Sequence, residues 1–283
     1  EKGNIPAQSS VFKAQRTHDG PQAPFVPTAI EDVVAAIKTE KPDLVFAPHV
    51  ETSSGIMLPD DYLRKLADAV HAVGGLFVLD CIASGTIWVD MDESGIDVLI
   101  SAPQKGWSAS PCCALVMLSA AGLERLEKTE SSSFSCDLRK WWNIMEAYEN
   151  GGHAYHATMP TDSLRRFRDI MKETEEYGFE KVRAEQQELG DKVRAMLVAK
   201  GIKSVAGDGF QAPGVVVSYT DDKGIQTGKK FAELGFQIAA GVPLQCDEPE
   251  DYQSFRLGLF GLDKLHNIGR TVEKLEKALA AIF

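Results

Sequence analysis

The sequence lacks several features that would direct it to a membrane, a metal or a nucleic acid. No apolar run reaches the roughly 18–20 residues that a membrane-spanning helix needs, and no CxxC pair is present to begin a structural zinc site. Basic residues are outnumbered, with 30 Lys and Arg against 41 Asp and Glu, so the net charge of −11 disfavours a nucleic-acid partner. We therefore expect no metal, no membrane and no nucleic acid.

Common catalytic signatures are also missing. The sequence has no GxxxxGK[ST] phosphate loop, no GxGxxG after a strand and no GxSxG nucleophile elbow. His153 and His156 could meet on a helix, but Gly151-Gly152 directly before them disfavours a helix and with it a metal pair. The five cysteines, an odd number that includes the adjacent Cys112-Cys113, favour free thiols in a reducing compartment. We therefore expect a cytoplasmic protein.

The first half of the chain alternates apolar strands with amphipathic helices. A helix is predicted to follow Thr28, with this threonine as N-cap and Glu31 completing a capping box. A second helix is predicted over 61–73 and closed by Gly74-Gly75. Buried strands are predicted at 43–48, 76–79, 98–100 and 114–118. This order is typical of an α/β domain with a mostly parallel sheet.

The second half has a different order of elements. It predicts a long helical region, two short strands, a helix, a strand and a last helix, at 163–200, 202–205, 215–219, 228–234, 254–259 and 267–282. This order favours a smaller α+β domain packed on the first. We therefore expect two domains, residues 1–160 and 161–283.

Polar residues follow the predicted strands, where ligands bind in open α/β sheets. Lys105 lies just after the strand at 98–100. A lysine there is either a solvated loop residue or a Schiff-base lysine in a pocket. Asp80 ends the strand at 76–79 and could either cap the next turn or hold a cofactor cation. His49 opens the segment His49 to Gly55, whose hydroxyls could equally belong to a capping turn.

Taken together, the segments His49 to Gly55, Asp80 to Ser84 and Ser101 to Lys105 resemble the class V aminotransferases. These are pyridoxal-5′-phosphate (PLP) enzymes of fold type I, and the likeness is to the alanine–glyoxylate and serine–pyruvate group. Order and approximate spacing match over roughly residues 42–118. The resemblance implies the fold type I sheet with helices on both faces, plus a smaller C-terminal α+β domain.

The resemblance also implies a role for each matching residue. Lys105 would be the Schiff-base lysine and general base, and Asp80 would pair with the pyridine nitrogen. Cofactor contacts would come further from Ile82 under the ring, Thr52 at the phenolic oxygen and Gln104 at the phosphate. Two motifs further along complete the implied set: Tyr155 and Thr158, which would reach the phosphate of a neighbouring subunit, and Arg256, which would bind the substrate carboxylate.

The implied activity is transamination between a small amino acid (alanine- or serine-like) and a small 2-oxo acid (glyoxylate- or pyruvate-like), in a homodimer. Cys112-Cys113 departs from the family pattern, because small residues or Gly are usual after the lysine. Another class V reaction, a lyase or a desulfurase, stays an alternative, although this pair lies too near Lys105 to act simply as a mobile desulfurase cysteine. A non-catalytic binding or assembly subunit with this fold is the second alternative.

The length of the chain bears on these expectations. Family members carry a Gly/Ser-rich phosphate loop and a ring-stacking aromatic residue ahead of the segment that begins at His49, and neither is found here. The chain also opens at Glu1 without an initiator Met. We therefore expect that the sequence corresponds to the C-terminal two-thirds of an enzyme, and that its own phosphate site is half built.

Overall fold

A computed structural model describes residues 7–283 of the chain. Glu1 to Asn4, on which the expectation of a longer enzyme partly rests, lie outside the described residues. No helix within residues 7–283 combines the length and the apolar character needed to cross a membrane.

The elements of the first half follow the predicted alternation. In chain order they are β1 (Gln15–Arg16), β2 (Phe25–Val26), α1 (Ile30–Glu40), β3 (Leu44–Pro48), β4 (Val50–Glu51), β5 (Ile56–Met57), α2 (Asp60–Ala72), β6 (Leu76–Asp80), α3 (Met91–Ser94), β7 (Val98–Ser101), β8 (Leu115–Leu118), α4 (Ala120–Glu127) and α5 (Leu138–Glu149). The four predicted strands are thus confirmed as β3, β6, β7 and β8, and the two predicted helices as α1 and α2.

The second half contains the predicted helices and two of the three predicted strands. Its elements are α6 (Thr161–Tyr177), α7 (Phe179–Ala199), β9 (Val215–Tyr219), α8 (Lys223–Gln226), α9 (Lys229–Glu233), β10 (Ala239–Ala240), β11 (Ser254–Gly258), α10 (Leu262–Leu265) and α11 (Ile268–Ile282). The predicted long helix is two helices, because Gly178 adopts a φ of 106° between α6 and α7. The strand predicted at 202–205 is wrong: this segment forms one isolated bridge, between Ser204 and Ser218.

Local sequence predicts the C-terminal end of α2 correctly but not the N-cap of α1. After α2, the amide of Gly74 donates to His71 and that of Gly75 donates to Val70. With Gly74 at φ 80°, this is the Schellman motif that the glycines predicted. The predicted N-cap of α1 is wrong: Ala29 occupies that position, because the Thr28 hydroxyl donates instead to the Lys13 carbonyl.

The main sheet has the strand order β3-β6-β7-β8. β3, β6 and β7 are parallel, and β8 pairs antiparallel with β7 at one edge. Side chains of α1 and α2 pack on one face of this sheet against Phe77, Leu79 and Leu99. On the opposite face, the edge strand β3 leaves Leu44 and Phe46 exposed. The sheet is therefore mixed but mostly parallel, as expected.

The C-terminal sheet is antiparallel, with the order β10-β11-β9. One of its faces packs on α7 and α11 through Val216, Phe255 and Leu257. Its other face packs through Val215 and Val217 against residues of the first half, including Phe25, Val50 and Ile56. Because alternate residues of a strand point to opposite faces, Arg256 of β11 lies on the face turned toward the first half.

Candidate active site

The register of the main sheet brings the predicted site segments to one edge. Pro48 of β3 pairs with Asp80 of β6, which pairs with Ile100 of β7. The carboxyl ends of these parallel strands are therefore level, and the segments that follow them begin side by side. Ligands of open α/β sheets bind at this edge.

The turn that carries Lys105 is held against the turn that follows Asp80. Gly106 makes this contact: a Cβ on it would lie 1.9 Å from the carbonyl oxygen of Gly85. Only glycine permits so close an approach of two backbones. On the other side of the turn, the Ser108 hydroxyl accepts a hydrogen bond of 3.1 Å from the amide of Leu262. The lysine turn is thus anchored to both halves of the chain.

The Lys105 amine is half-buried and lies beside an aromatic ring. Its Nζ is 5.7 Å from the centroid of Phe260, a separation at which a cation is attracted to the ring face. Within residues 7–283, Lys105 forms no salt bridge. The amine is therefore positioned without a carboxylate to hold it in an ion pair, which suits a lysine that reacts as a nucleophile.

Asp80 presents its carboxylate at the exposed end of β6. One oxygen, Oδ1, accepts a hydrogen bond of 2.8 Å from the amide of Ile82, so the carboxylate does cap the turn that follows it. In the described part of the chain the other oxygen has no hydrogen-bond partner, and it remains available to a cation. Ile82 is half-buried two residues further on.

His49 is a buried histidine that ties two of the turns together. Its Nδ1 lies 2.7 Å from the Ser84 hydroxyl, and its amide donates to the carbonyl of Asp80. Burial lowers the pKa of His49 to about 4, with Arg183 lowering it further and Asp60 opposing. The ring is therefore neutral at pH 7, and it orders the turns after β3 and β6 rather than carrying charge.

Arg256 and Thr52 meet across the two halves of the chain. The Nη1 of Arg256 donates to the Thr52 carbonyl at 3.4 Å, and its Nε donates to the Ala240 carbonyl at 2.8 Å. Both acceptors are neutral, and among residues 7–283 no carboxylate forms a salt bridge with this guanidinium. The remaining N–H groups can bind an incoming carboxylate. The Thr52 hydroxyl has no hydrogen bond within the same range.

The three remaining predicted residues, Gln104, Tyr155 and Thr158, are exposed and form no hydrogen bond with this group within residues 7–283. Gln104 precedes the lysine but is exposed. Tyr155 is 79% exposed, and its hydroxyl lies 3.1 Å from the Thr158 hydroxyl. Within residues 7–283 neither Tyr155 nor Thr158 has a hydrogen bond to Lys105, Asp80 or Thr52. The structure thus brings together the residues that follow the strands and leaves this pair facing outward.

Sequence reasoning missed two parts of this arrangement. Phe260, which faces the lysine amine, lies more than 150 residues further along, and nothing local to it signals this contact. Gly85 and Gly106 hold the two turns together, and here a signal existed: a glycine directly after the lysine is a site where another backbone can approach. Contacts between distant turns are not readable from one sequence alone.

The chemistry of these residues fits the PLP that the resemblance implies. An amine without an acid partner, a carboxylate with a free oxygen and a hydroxyl without a partner are the groups needed for the aldehyde, the pyridine nitrogen and the phenolic oxygen. Two cavities of about 460 and 390 Å³ are lined by His49 with α7 and by His71 with Asp97, and neither is lined by Lys105, Asp80 or Arg256.

The chain is similar in sequence to proteins of known family. A family model described as aminotransferase class-V matches residues 21–220. The alanine–glyoxylate aminotransferase of Callithrix jacchus is 26% identical over 276 residues, 93% of this chain and 64% of that protein. The 2-aminoethylphosphonate–pyruvate transaminase of Vibrio vulnificus (strain YJ016) is 28% identical over 237 residues, 82% of this chain and 61% of that protein. The chain therefore spans less than two thirds of the length of either relative.

A solved structure confirms the predicted fold. The alanine–glyoxylate aminotransferase from Nostoc sp. superimposes with a TM-score of 0.74 at 20% identity, covering 89% of this chain and 66% of that one. At this identity the likeness concerns the fold alone.

Proposed function

The chain belongs to the class-V aminotransferase family, and from that premise we propose that it is a PLP-dependent aminotransferase for a small amino acid and a small 2-oxo acid. The observation that carries this proposal is the lysine turn. Gly106 packs on Gly85, and this contact sets Lys105 beside the turn that begins at Asp80. An amine and a carboxylate at the ends of neighbouring parallel strands suit a cofactor that has an aldehyde and a basic nitrogen.

When bound, PLP supplies an electron sink for the negative charge that develops at the substrate Cα. In the proposed mechanism the Lys105 amine would hold the cofactor and, once a substrate amine has taken its place, would act as the general base that moves the proton at the substrate Cα. Asp80 would pair with the pyridine nitrogen, and Thr52 would donate its hydroxyl hydrogen to the phenolic oxygen. Ile82 would pack under the ring, and Gln104 would contact the phosphate.

Arg256 anchors and orients the substrate. Its guanidinium is half-buried, is fixed by two backbone carbonyls and keeps donors for a planar carboxylate. The two relatives are named for different amino donors, alanine and 2-aminoethylphosphonate. An arginine fork binds a carboxylate and a phosphonate alike, so Arg256 by itself does not choose between these donors. We keep the small amino acid, alanine- or serine-like, as the proposed donor, and the screen below includes both kinds.

We propose a homodimer in which Tyr155 and Thr158 complete the phosphate site of the partner subunit. Both side chains are exposed in one chain, and their hydroxyls stand next to each other. Further exposed apolar side chains belong to neighbouring stretches of the chain, Phe134, Met145 and Tyr148, and the ring of Phe134 packs on that of His156. Such a patch is typical of a protein–protein interface.

We propose two domains, residues 1–160 and 161–283, with the substrate bound between Thr52 of the first and Arg256 of the second. It also keeps the cytoplasm as the location, because the five cysteines are free thiols, which persist in a reducing compartment.

A donor and acceptor screen tests the function. Purified protein with PLP is offered alanine, serine or 2-aminoethylphosphonate, each with glyoxylate or pyruvate, and the products are measured. We expect alanine- or serine-dependent amination of a 2-oxo acid. In Lys105→Ala the rate should fall at least about 10²- to 10⁴-fold, because the variant lacks the general base. The exposed lysine variant Lys200→Ala is the matched control and should keep its rate.

Other outcomes would point to the alternatives. Release of ammonia or sulfide without amination of the 2-oxo acid would indicate a lyase or a desulfurase. Protein that never takes up PLP would indicate a binding or assembly subunit and would refute the proposal.

A further inference from the structure

Cys112 and Cys113 form an adjacent pair of thiols that the proposed reaction does not use. They lie in the segment 102–114, which joins β7 to β8 and also carries Lys105. Both are half-buried free thiols, and their sulfur atoms are 3.9 Å apart. Neither sulfur has another hydrogen bond in the part of the chain that the structure describes.

The separation of the sulfurs fits a chelate. An atom that forms two bonds of about 2.3 Å to sulfur spans about 3.8 Å between the sulfurs at a tetrahedral angle, and about 3.4 Å at the narrower angle of a pyramidal centre. The sulfurs of Cys112 and Cys113 are 3.9 Å apart, so they need to approach each other by about 0.5 Å or less. They can therefore bind one soft centre together with little movement of the loop.

A disulfide between the same thiols fits less well. The sulfurs would have to close to about 2.05 Å, and disulfides usually join residues whose Cα atoms are about 4.4–6.8 Å apart. Neighbouring residues in a chain have Cα atoms only about 3.8 Å apart.

The number of protein ligands narrows the class of occupant. Within residues 7–283, no group of three or more His, Cys, Asp or Glu side chains is placed to hold a metal ion. The occupant must therefore be satisfied by two sulfur atoms from the protein. A monosubstituted trivalent arsenical meets this condition, because it brings its own third substituent.

We propose that Cys112 and Cys113 form a dithiol site for trivalent arsenicals and chemically similar thiophilic ligands. Binding is a condensation without change of oxidation state. Two S–H bonds and the bonds from arsenic to its oxygen are broken, two As–S bonds form, and the oxygen leaves with both protons as water. The site is independent of the proposed transamination, since it needs neither PLP nor substrate.

Phenylarsine oxide tests this site in the intact chain. We expect one arsenic per chain, and a fall in titratable thiols after denaturation from five by two. Mass spectrometry of the peptides should place the adduct on the peptide that contains both cysteines. A dithiol such as 2,3-dimercaptopropanol should reverse the binding, whereas the monothiol glutathione should not.

Serine variants supply the matched comparison. Cys112→Ser and Cys113→Ser should each weaken binding at least about 100-fold, because the second As–S bond is lost with its effective concentration. Cys136→Ser and Cys246→Ser should bind as the unmodified chain does. The proposal is overturned if the chain takes up no arsenic, if the adduct maps to other cysteines, or if Cys112→Ser binds as tightly as the unmodified chain. The peptide map does not depend on how well any variant folds.

Discussion

Replacing Gly106 with alanine should damage both the stability of the protein and the placement of its lysine. The added Cβ would lie 1.9 Å from the Gly85 carbonyl oxygen, whereas such contacts are essentially never shorter than 3.0 Å. One of the two turns must therefore move by about 1 Å. Both partners in this contact are backbone atoms, so no side-chain rotation can relieve it.

The magnitude follows from two opposing effects. Overpacking of this kind costs about 1–3 kcal/mol, and the lower entropy of alanine in the unfolded chain returns about 0.4–1 kcal/mol. We expect Gly106→Ala to lower the free energy of unfolding by about 1–2 kcal/mol. A displacement of about 1 Å at a reacting group costs about 100-fold in rate. We therefore expect the transamination rate of Gly106→Ala to fall about 100-fold under conditions in which the variant is still folded.

Urea unfolding followed by tryptophan fluorescence measures the first effect, because Trp107 lies in the lysine turn with its ring 4.9 Å from Trp88. The matched control is Gly269→Ala in α11, where a Cβ meets nothing within 4 Å. This helical change should stabilise the protein by up to about 1 kcal/mol. A Gly106→Ala protein with unaltered stability and an unaltered rate would refute the proposed role of this contact.

Three further outcomes are expected. The pKa of His49 is about 4 in the folded chain and about 6.5 in the unfolded chain. As the pH falls from about 6.5 to about 4, the unfolded chain therefore takes up a proton at this histidine before the folded chain does, and the free energy of unfolding should drop by about 3 kcal/mol. Urea titrations at both ends should show a smaller loss in His49→Gln, and equal losses would contradict the assignment. Asp97→Ala should destabilise by about 1–3 kcal/mol, because the buried Asp97 carboxylate accepts hydrogen bonds from His71 and from the amide of Phe77, and that amide would lose its acceptor; PLP affinity should hold, and a variant of unchanged stability would contradict this expectation. Arg256→Lys keeps the charge but loses the fork, so the KM for the amino donor should rise about 10- to 100-fold, and an unchanged KM would exclude Arg256 from substrate binding.

The parts of the fold that local sequence predicted are those that local chemistry decides. Short apolar strands and the Gly74-Gly75 stop were predicted because burial and a left-handed glycine leave clear patterns. The capping box at Thr28 failed because the Lys13 carbonyl, 15 residues away, takes the hydroxyl. The sequence predicts one helical region across Gly178, because an isolated glycine is tolerated inside a helix. Only the backbone conformation, a φ of 106°, shows that the helix ends there.

Some residues of the candidate site are likewise predictable from local sequence, whereas the contacts between its two halves are not. Asp80 and Lys105 were singled out because each follows a buried strand, and parallel strands end at one edge. The contact of Arg256 with Thr52 spans 204 residues, and the ring of Phe260 reaches the lysine from the other half of the chain. Such contacts depend on how the two sheets pack, which no local pattern encodes.

The central claim is that Lys105 is the lysine that holds PLP, and trapping that bond tests it most directly. The chain is mixed with PLP, the absorbance at about 400–430 nm is recorded, and borohydride is added to fix the bond before peptide mapping. The account predicts an absorbance band that borohydride abolishes, with the cofactor fixed on the peptide that contains Lys105. Lys105→Ala should show no such band, and Lys200→Ala should retain it. A cofactor fixed on a different lysine, or a band that persists in Lys105→Ala, would contradict the account.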